Sequence, residues 1–164
     1  MSPDELLDEG AFAEDEFLPY WAELWPAATA LVEALPGRLD GVRVLELGCG
    51  LGVPSLVAAA RGAEVTAVDW AEDAVRLLRR NARRNRLTLA ARRHDWRQPL
   101  GRVFDLALAA DVLYERRNVE PVLARLREAA PEALVALAGR PYEAEFLRGA
   151  GDVEQVAERV VRLT

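Results

Sequence analysis

The sequence predicts a doubly wound α/β fold, and three observations predict it. Strand-like and helix-like patterns alternate from residue 42 to residue 138, which implies a mostly parallel sheet with helices on both faces. A short apolar run over residues 42–47 ends in Gly48-Cys49-Gly50-Leu51-Gly52, and a helical pattern follows it. The next apolar run closes on Asp69, about twenty positions beyond the glycines, as in nucleotide-binding βαβ units.

Each element has its own signal. Ser2 and Glu5 have capping-box spacing, Pro3 suits a first helical position and Gly10 a stop, so residues 2–9 are predicted helical. Pro26 opens a second helix whose Leu31, Val32 and Leu35 face inward until Pro36-Gly37 ends it. Residues 42–47 form a buried strand, 53–61 a helix closed by Gly62, and 64–69 the second strand. Residues 71–86 are helical, with Val75, Leu78 and Ala82 on one face. Strands are predicted over 87–93, 104–109 and 133–138, with a helix over 118–130 between the last two. Val153, Val156, Val160 and Leu163 have helical spacing, yet the valine content of 159–164 favours an edge strand. The whole is expected to be one domain, with 1–36 as a helical lid segment and 37–164 as the core.

Composition narrows the function classes. With 51% apolar and 29% charged residues the chain reads as globular. No apolar run reaches the ~18 residues of a membrane span. The acidic start has no basic stretch leading into an apolar one. Cys49 is the one cysteine and no Cys/His cluster accompanies it, so neither disulfide nor metal is expected, and the cytoplasm is the expected location. The first 37 residues carry nine acids and no base. Every base in the chain is arginine, and between Arg76 and Arg97 only Asp95 opposes them. That stretch is either a nucleic-acid face or, the favoured reading, a solvated helix face paired with the acidic N-terminus.

The most informative motif is Val44-Leu45-Glu46-Leu47-Gly48-Cys49-Gly50-Leu51-Gly52. A dinucleotide fingerprint, GxGxxG, fails at Val53. The pattern acid-x-Gly-x-Gly-x-Gly resembles instead the first motif of class I S-adenosylmethionine (SAM) methyltransferases, and the resemblance implies their Rossmann-like fold. It implies that Gly48 and Gly50 approach the cofactor and that Glu46 serves its ammonium end. Asp69 then takes the ribose hydroxyls, Asp95 the adenine amino group, and Trp96 packs on the base. Trp25, Trp70 and Ala110 complete the implied cofactor set, S-adenosylhomocysteine is the product, and His94 is left as a surface residue without a partner.

The acceptor motif follows the fourth strand. Enzymes that methylate nucleobase amino groups usually carry Asn/Asp-Pro-Pro-aromatic there, and this chain has Asp111-Val112-Leu113-Tyr114. That is similar to the Asp-x-x-Tyr motif of the seven-β-strand protein-lysine methyltransferases. Pro19-Tyr20-Trp21-Ala22 with Trp25-Pro26 resembles a segment of the electron-transfer-flavoprotein β-subunit branch, and Leu78, Asn81, Asn85 and Asp95-Trp96 fit it too. The resemblance runs over residues 19–141. It implies a sheet in the order 3-2-1-4-5-7-6, a monomer, and a protein substrate methylated on lysine. Asp111 is then the expected anchor of the incoming ammonium and Tyr114 the lining of the methyl-transfer channel. Tyr20, Trp21 and Trp25 form the facing wall.

Alternatives stay open. The acceptor could be a ribosomal protein, a small amine or RNA, and the domain could bind SAM without catalysis. Asp111 could cap a turn, Tyr114 could be a packing residue, and Trp21 and Trp25, four apart, could share the buried face of a plain helix. About two dozen residues follow the fifth strand, so the final hairpin is expected abbreviated or short of one strand.

Overall fold

In the computed structural model the described residues are 20–164. The helix expected over residues 2–9, with Ser2, Pro3, Glu5 and Gly10, lies outside them, as do Pro19 and most of the acidic N-terminal segment. Seven strands form one sheet in the order β3-β2-β1-β4-β5-β7-β6. They are β1 Arg43–Leu47, β2 Glu64–Asp69, β3 Ala90–Arg93, β4 Leu106–Ala110, β5 Ala133–Ala136, β6 Val153–Ala157 and β7 Val160–Leu163. The first five run parallel, and β7 is antiparallel to both β5 and β6.

Helices cover both faces, as a parallel sheet requires. On one face, α1 (Pro26–Ala34) and α2 (Val53–Ala60) bury Ala27, Leu31 and Ala58 against Val44, Val65, Leu106 and Leu134. Beside them α3 (Glu72–Arg84) sets Val75 and Leu78 on Ala67 and Ala91. Acids in its first turn and arginines in its last oppose the helix dipole. On the other face, α4 (Val119–Ala129) and α5 (Glu143–Ala150) bury Val122, Leu126 and Phe146 against Leu45, Leu47, Ala107 and Val135.

Register positions the site. Leu47 stands beside Val68 and Ala109, so Gly48, Asp69 and Ala110 emerge together at the carboxyl edge. Asp69 pairs with Arg93 and Ala110 with Ala136, which brings the segments after β3 and β5 to the same edge.

Three expectations are corrected. β3 begins at Ala90, because Arg86 turns left-handed (φ 56°) and the Leu87 N–H closes α3 on the Ala82 carbonyl; residues 87–89 are then crossover. Both final strands are present, and the edge is β6. Valine-rich β7 lies between β5 and β6 and is mostly buried, whereas β6 is mostly exposed. Trp21 and Trp25 do not share a helix. Tyr20–Ala22 is a single 3-10 turn, and Trp25 caps α1 in an extended conformation just before Pro26. Helix α5 was not anticipated. Its signals are faint: Pro141 ahead of it, Phe146 and Ala150 at helical spacing, Gly151 just past its end.

Candidate active site

A cleft of about 600 Å³ opens at the carboxyl edge of the sheet, with the glycine loop as its floor. Gly48 has φ 72°, and a Cβ there would lie 2.8 Å from Val112 Cγ1 and 2.9 Å from Trp96 Cζ2. Gly50 has φ 49°, and its Cβ would lie 3.3 Å from the backbone oxygen of Trp21. The loop is therefore glycine both for its left-handed backbone and because side chains and the lid backbone crowd it.

Two buried carboxylates brace the loop. Glu46 is 1% exposed on β1, and its Oε2 accepts from the Ser55 N–H (3.0 Å) and from the Ser55 hydroxyl. It thereby caps α2 from outside, since Gly52 at the cap position has no side chain to do so. Burial pushes the Glu46 carboxyl up to about 8, against the pull of the Ser55 bonds. Asp69 accepts the Gly50 N–H on Oδ2 (2.9 Å) and the Ala71 N–H on Oδ1 (3.0 Å). Burial raises its pKa as well, opposed by those backbone bonds. With the Trp70 N–H as a third donor, the carboxylate's roughly four lone-pair positions still leave capacity to accept a ligand hydroxyl.

Trp70, Asp95 and Trp96 line one flank of the cleft. Arg97 grips Asp95 through Nε–H (2.9 Å to Oδ1) and its own backbone N–H, which holds that carboxyl below the usual range. His94 is corrected: its Nε2 lies 3.0 Å from the Gln98 carbonyl oxygen, so it has a partner. Tyr114 and Ala110 line the cleft too, Tyr114 against Trp70. Burial, then the charge of Asp69, pushes the Tyr114 phenol up to about 12, countered by side-chain hydrogen bonds with Asn118 and Trp70. Tyr114 is thus a neutral phenol, with no capacity as a base near pH 7.

Asp111 is where the structure departs most from expectation. It sits after β4 at φ 51°, a left-handed conformation that aspartate tolerates better than most residues. Its side chain is 5% exposed and its carboxylate is not open to an ammonium: Arg140 closes on it as a fork, Nε to Oδ1 and Nη2 to Oδ2, both 2.7 Å. The Arg140 guanidinium also lies 5.5 Å from the centre of the Trp25 ring. Sequence reasoning missed Arg140, which is 29 residues from Asp111 and belongs to no recognised motif.

Trp21 and Trp25 are half-buried and both line the cleft, while the side chain of Tyr20 lies outside what is described. Every other residue singled out in the sequence as cofactor-binding, catalytic or channel-forming borders this one cleft.

The cleft is the right size for a small-molecule site, within roughly 300–1,000 Å³. A nucleoside cofactor also suits its chemistry. The glycine loop borders the cleft with no side chains at Gly48 and Gly50, and Asp69 has acceptor capacity. The buried Trp96 Nε1–H has no acceptor among the described residues, a deficit that a bound acceptor atom would relieve. Among those residues no helix is long and apolar enough to cross a membrane.

Comparison with known proteins agrees with this geometry. The family model described as the methyltransferase small domain matches residues 12–137. Over 69 residues the chain is 38% identical to a ubiquinone biosynthesis O-methyltransferase of Leptothrix cholodnii, covering 42% of this chain and 29% of that one. Over 70 residues it is 37% identical to a ribosomal protein L11 methyltransferase of Thermotoga neapolitana, covering 42% and 26%. The matched stretches thus span less than a third of these relatives. Among solved structures, the T. thermophilus 16S rRNA N2 G1207 methyltransferase in complex with AdoMet and guanosine superposes with a TM-score of 0.65. The identity is 27%, over 86% of this chain and 43% of that one.

Proposed function

The chain belongs to the methyltransferase small domain family and its cofactor is SAM; from that premise we propose that it is an N-methyltransferase acting on lysine side chains of a protein. The observation that carries the proposal is the convergence of three sequence-distant segments on one cleft. Asp111-Val112-Leu113-Tyr114 follows β4, Trp21 and Trp25 face it, and the glycine loop lies between them.

Bound SAM supplies a methyl group activated on a positively charged sulfur. What the chain must add is orientation, dryness and an unprotonated acceptor. A lysine amine has a pKa near ~10.4, so its neutral form costs about 4–5 kcal/mol at pH 7. A channel walled by Trp21, Trp25 and Tyr114 lowers that cost by desolvating the ammonium. Tyr114, protonated throughout, would contribute its ring and a neutral hydroxyl. Asp111 acts through Arg140 in this closed form, so its role is to build the acceptor wall.

The test is Asp111→Ala and Tyr114→Phe, with cofactor binding measured separately from methylation of a lysate protein by labelled SAM. The proposal expects methylation to fall by at least tenfold in both while SAM still binds Tyr114→Phe. Full methylation by both variants would remove the roles given to these residues.

A second proposal has one observation in its favour. Arg80, Arg83, Arg84 and Arg86, on α3 and just after it, are exposed and have no ion-pair partner among the described residues. An RNA acceptor would use them as phosphate contacts. Its mark is labelling that disappears on ribonuclease treatment.

A further inference from the structure

We propose that Arg140 is a positioning residue: one guanidinium that holds the Trp25 wall closed over the cleft and takes Asp111 out of contact with the acceptor. The proposal rests on the cleft being the methyl-transfer site.

The chain delivers Arg140 there by construction. After β5, Glu143 in the first turn of α5 accepts the Ala138 and Gly139 N–H groups at 2.7 and 2.9 Å, which ties the loop back on itself. Gly139 turns it at φ 82°, and Arg140 follows. Its edge forks onto Asp111 at the end of β4, and its face meets Trp25, the residue that caps α1. Only a planar cation serves both partners at once, edge to carboxylate and face to ring; a lysine ammonium is a point charge that can serve one. Trp25 leads back through two residues to Trp21–Ala22, and the Trp21 backbone lies over Gly50. The end of β4, the β5–α5 loop and the segment covering the glycine loop therefore meet in a single side chain.

Two consequences follow. Release of Arg140 frees the covering segment, so cofactor is held less tightly. Release also exposes a nearly buried carboxylate at the acceptor mouth, where it would hold an incoming amine in its charged, unreactive form. With the fork in place the charge of Asp111 is balanced by Arg140, and the amine enters without that carboxylate to keep its proton.

The experiment is calorimetric titration with S-adenosylhomocysteine, with tryptophan emission followed in parallel, on wild type, Arg140→Lys, Arg140→Gln, Asp111→Asn and the Arg140→Gln/Asp111→Asn double variant. Arg140→Gln is expected to weaken binding about tenfold. Arg140→Lys should recover part of this, and the double variant should be no weaker than Arg140→Gln alone. Tryptophan emission of the ligand-free protein should shift in Arg140→Gln. Wild-type affinity and emission in both Arg140 variants would overturn the proposal, as would losses that multiply in the double variant. Should Arg140→Gln fail to fold, Arg140→Lys decides, since a lysine matching wild type in affinity and emission excludes a planar clasp. Failure of wild type to bind would instead remove the cofactor site, and the clasp with it.

Discussion

Gly50 is a position where any side chain fails twice, on backbone strain and on the Trp21 carbonyl above it. Left-handed alanine costs roughly 1–2 kcal/mol. Gly50→Ala should therefore lower the melting temperature by a few degrees, yet weaken S-adenosylhomocysteine binding about tenfold or more, measured by calorimetry. Glu46 makes a different prediction, in pH. Its folded pKa, near 8, lies above the ordinary 4.5, so its contribution to stability is complete below pH 4.5 and is lost as pH rises to about 8. Between those values the loss approaches roughly 1.4 kcal/mol per pH unit. Ligand-free Glu46→Gln has no such loss. Denaturant titrations at pH 5.5 and 8.5 should show wild type weakening relative to the variant at the higher pH; parallel curves would mean that Glu46 is already ionised. Gly48, Gly50 and Asp69 were legible in the sequence because their chemistry is local: a strand, a turn, an acid at a fixed offset. Arg140 was not, because its partners Asp111 and Trp25 come from other strands and helices.

Among the elements, α5 shows most clearly what pattern reasoning overlooks. It spans eight residues, Glu143–Ala150, with Gly149 inside it, too short and too weak in propensity to stand out. What holds it is Phe146, fully buried between the helix and the sheet. Phe146→Ala should cost about 3–5 kcal/mol by chemical denaturation. Because α5 carries Glu143, which shapes the Arg140 loop, that variant should also bind cofactor less tightly. A loss under 1 kcal/mol would mean that α5 is not packed as described. The long elements were legible since each carries a sustained apolar period. The final strands were harder, for the alternation in β6 and β7 fits helical spacing equally well. Only pairing with β5 decides between them, and also places β7 inside β6. Proline decided the lid: Pro26 forces Trp25 extended, so the two tryptophans reach one cleft from a turn and a cap and not from one helical face.

For the molecule as a whole, the site is a product of strand register. Leu47, Val68 and Ala109 stand level, and Gly48, Asp69 and Ala110 lie one step beyond them at the edge where the cleft opens. Strand order was readable only through the family resemblance of the motifs, and the cofactor through the glycine loop and Asp69 that carry that resemblance. The acceptor was not, since under the proposed function it would be chosen by surfaces around the cleft, and part of these, the Asp111–Arg140 fork, joins residues 29 apart that no local motif links. The most direct measurement incubates the purified protein with methyl-labelled SAM and a cell lysate, with and without ribonuclease, and identifies the labelled residue by mass spectrometry. The proposed function predicts label on lysine of a protein band, unchanged by ribonuclease and lost with Gly50→Ala. Label on RNA, or on a residue other than lysine, would contradict it.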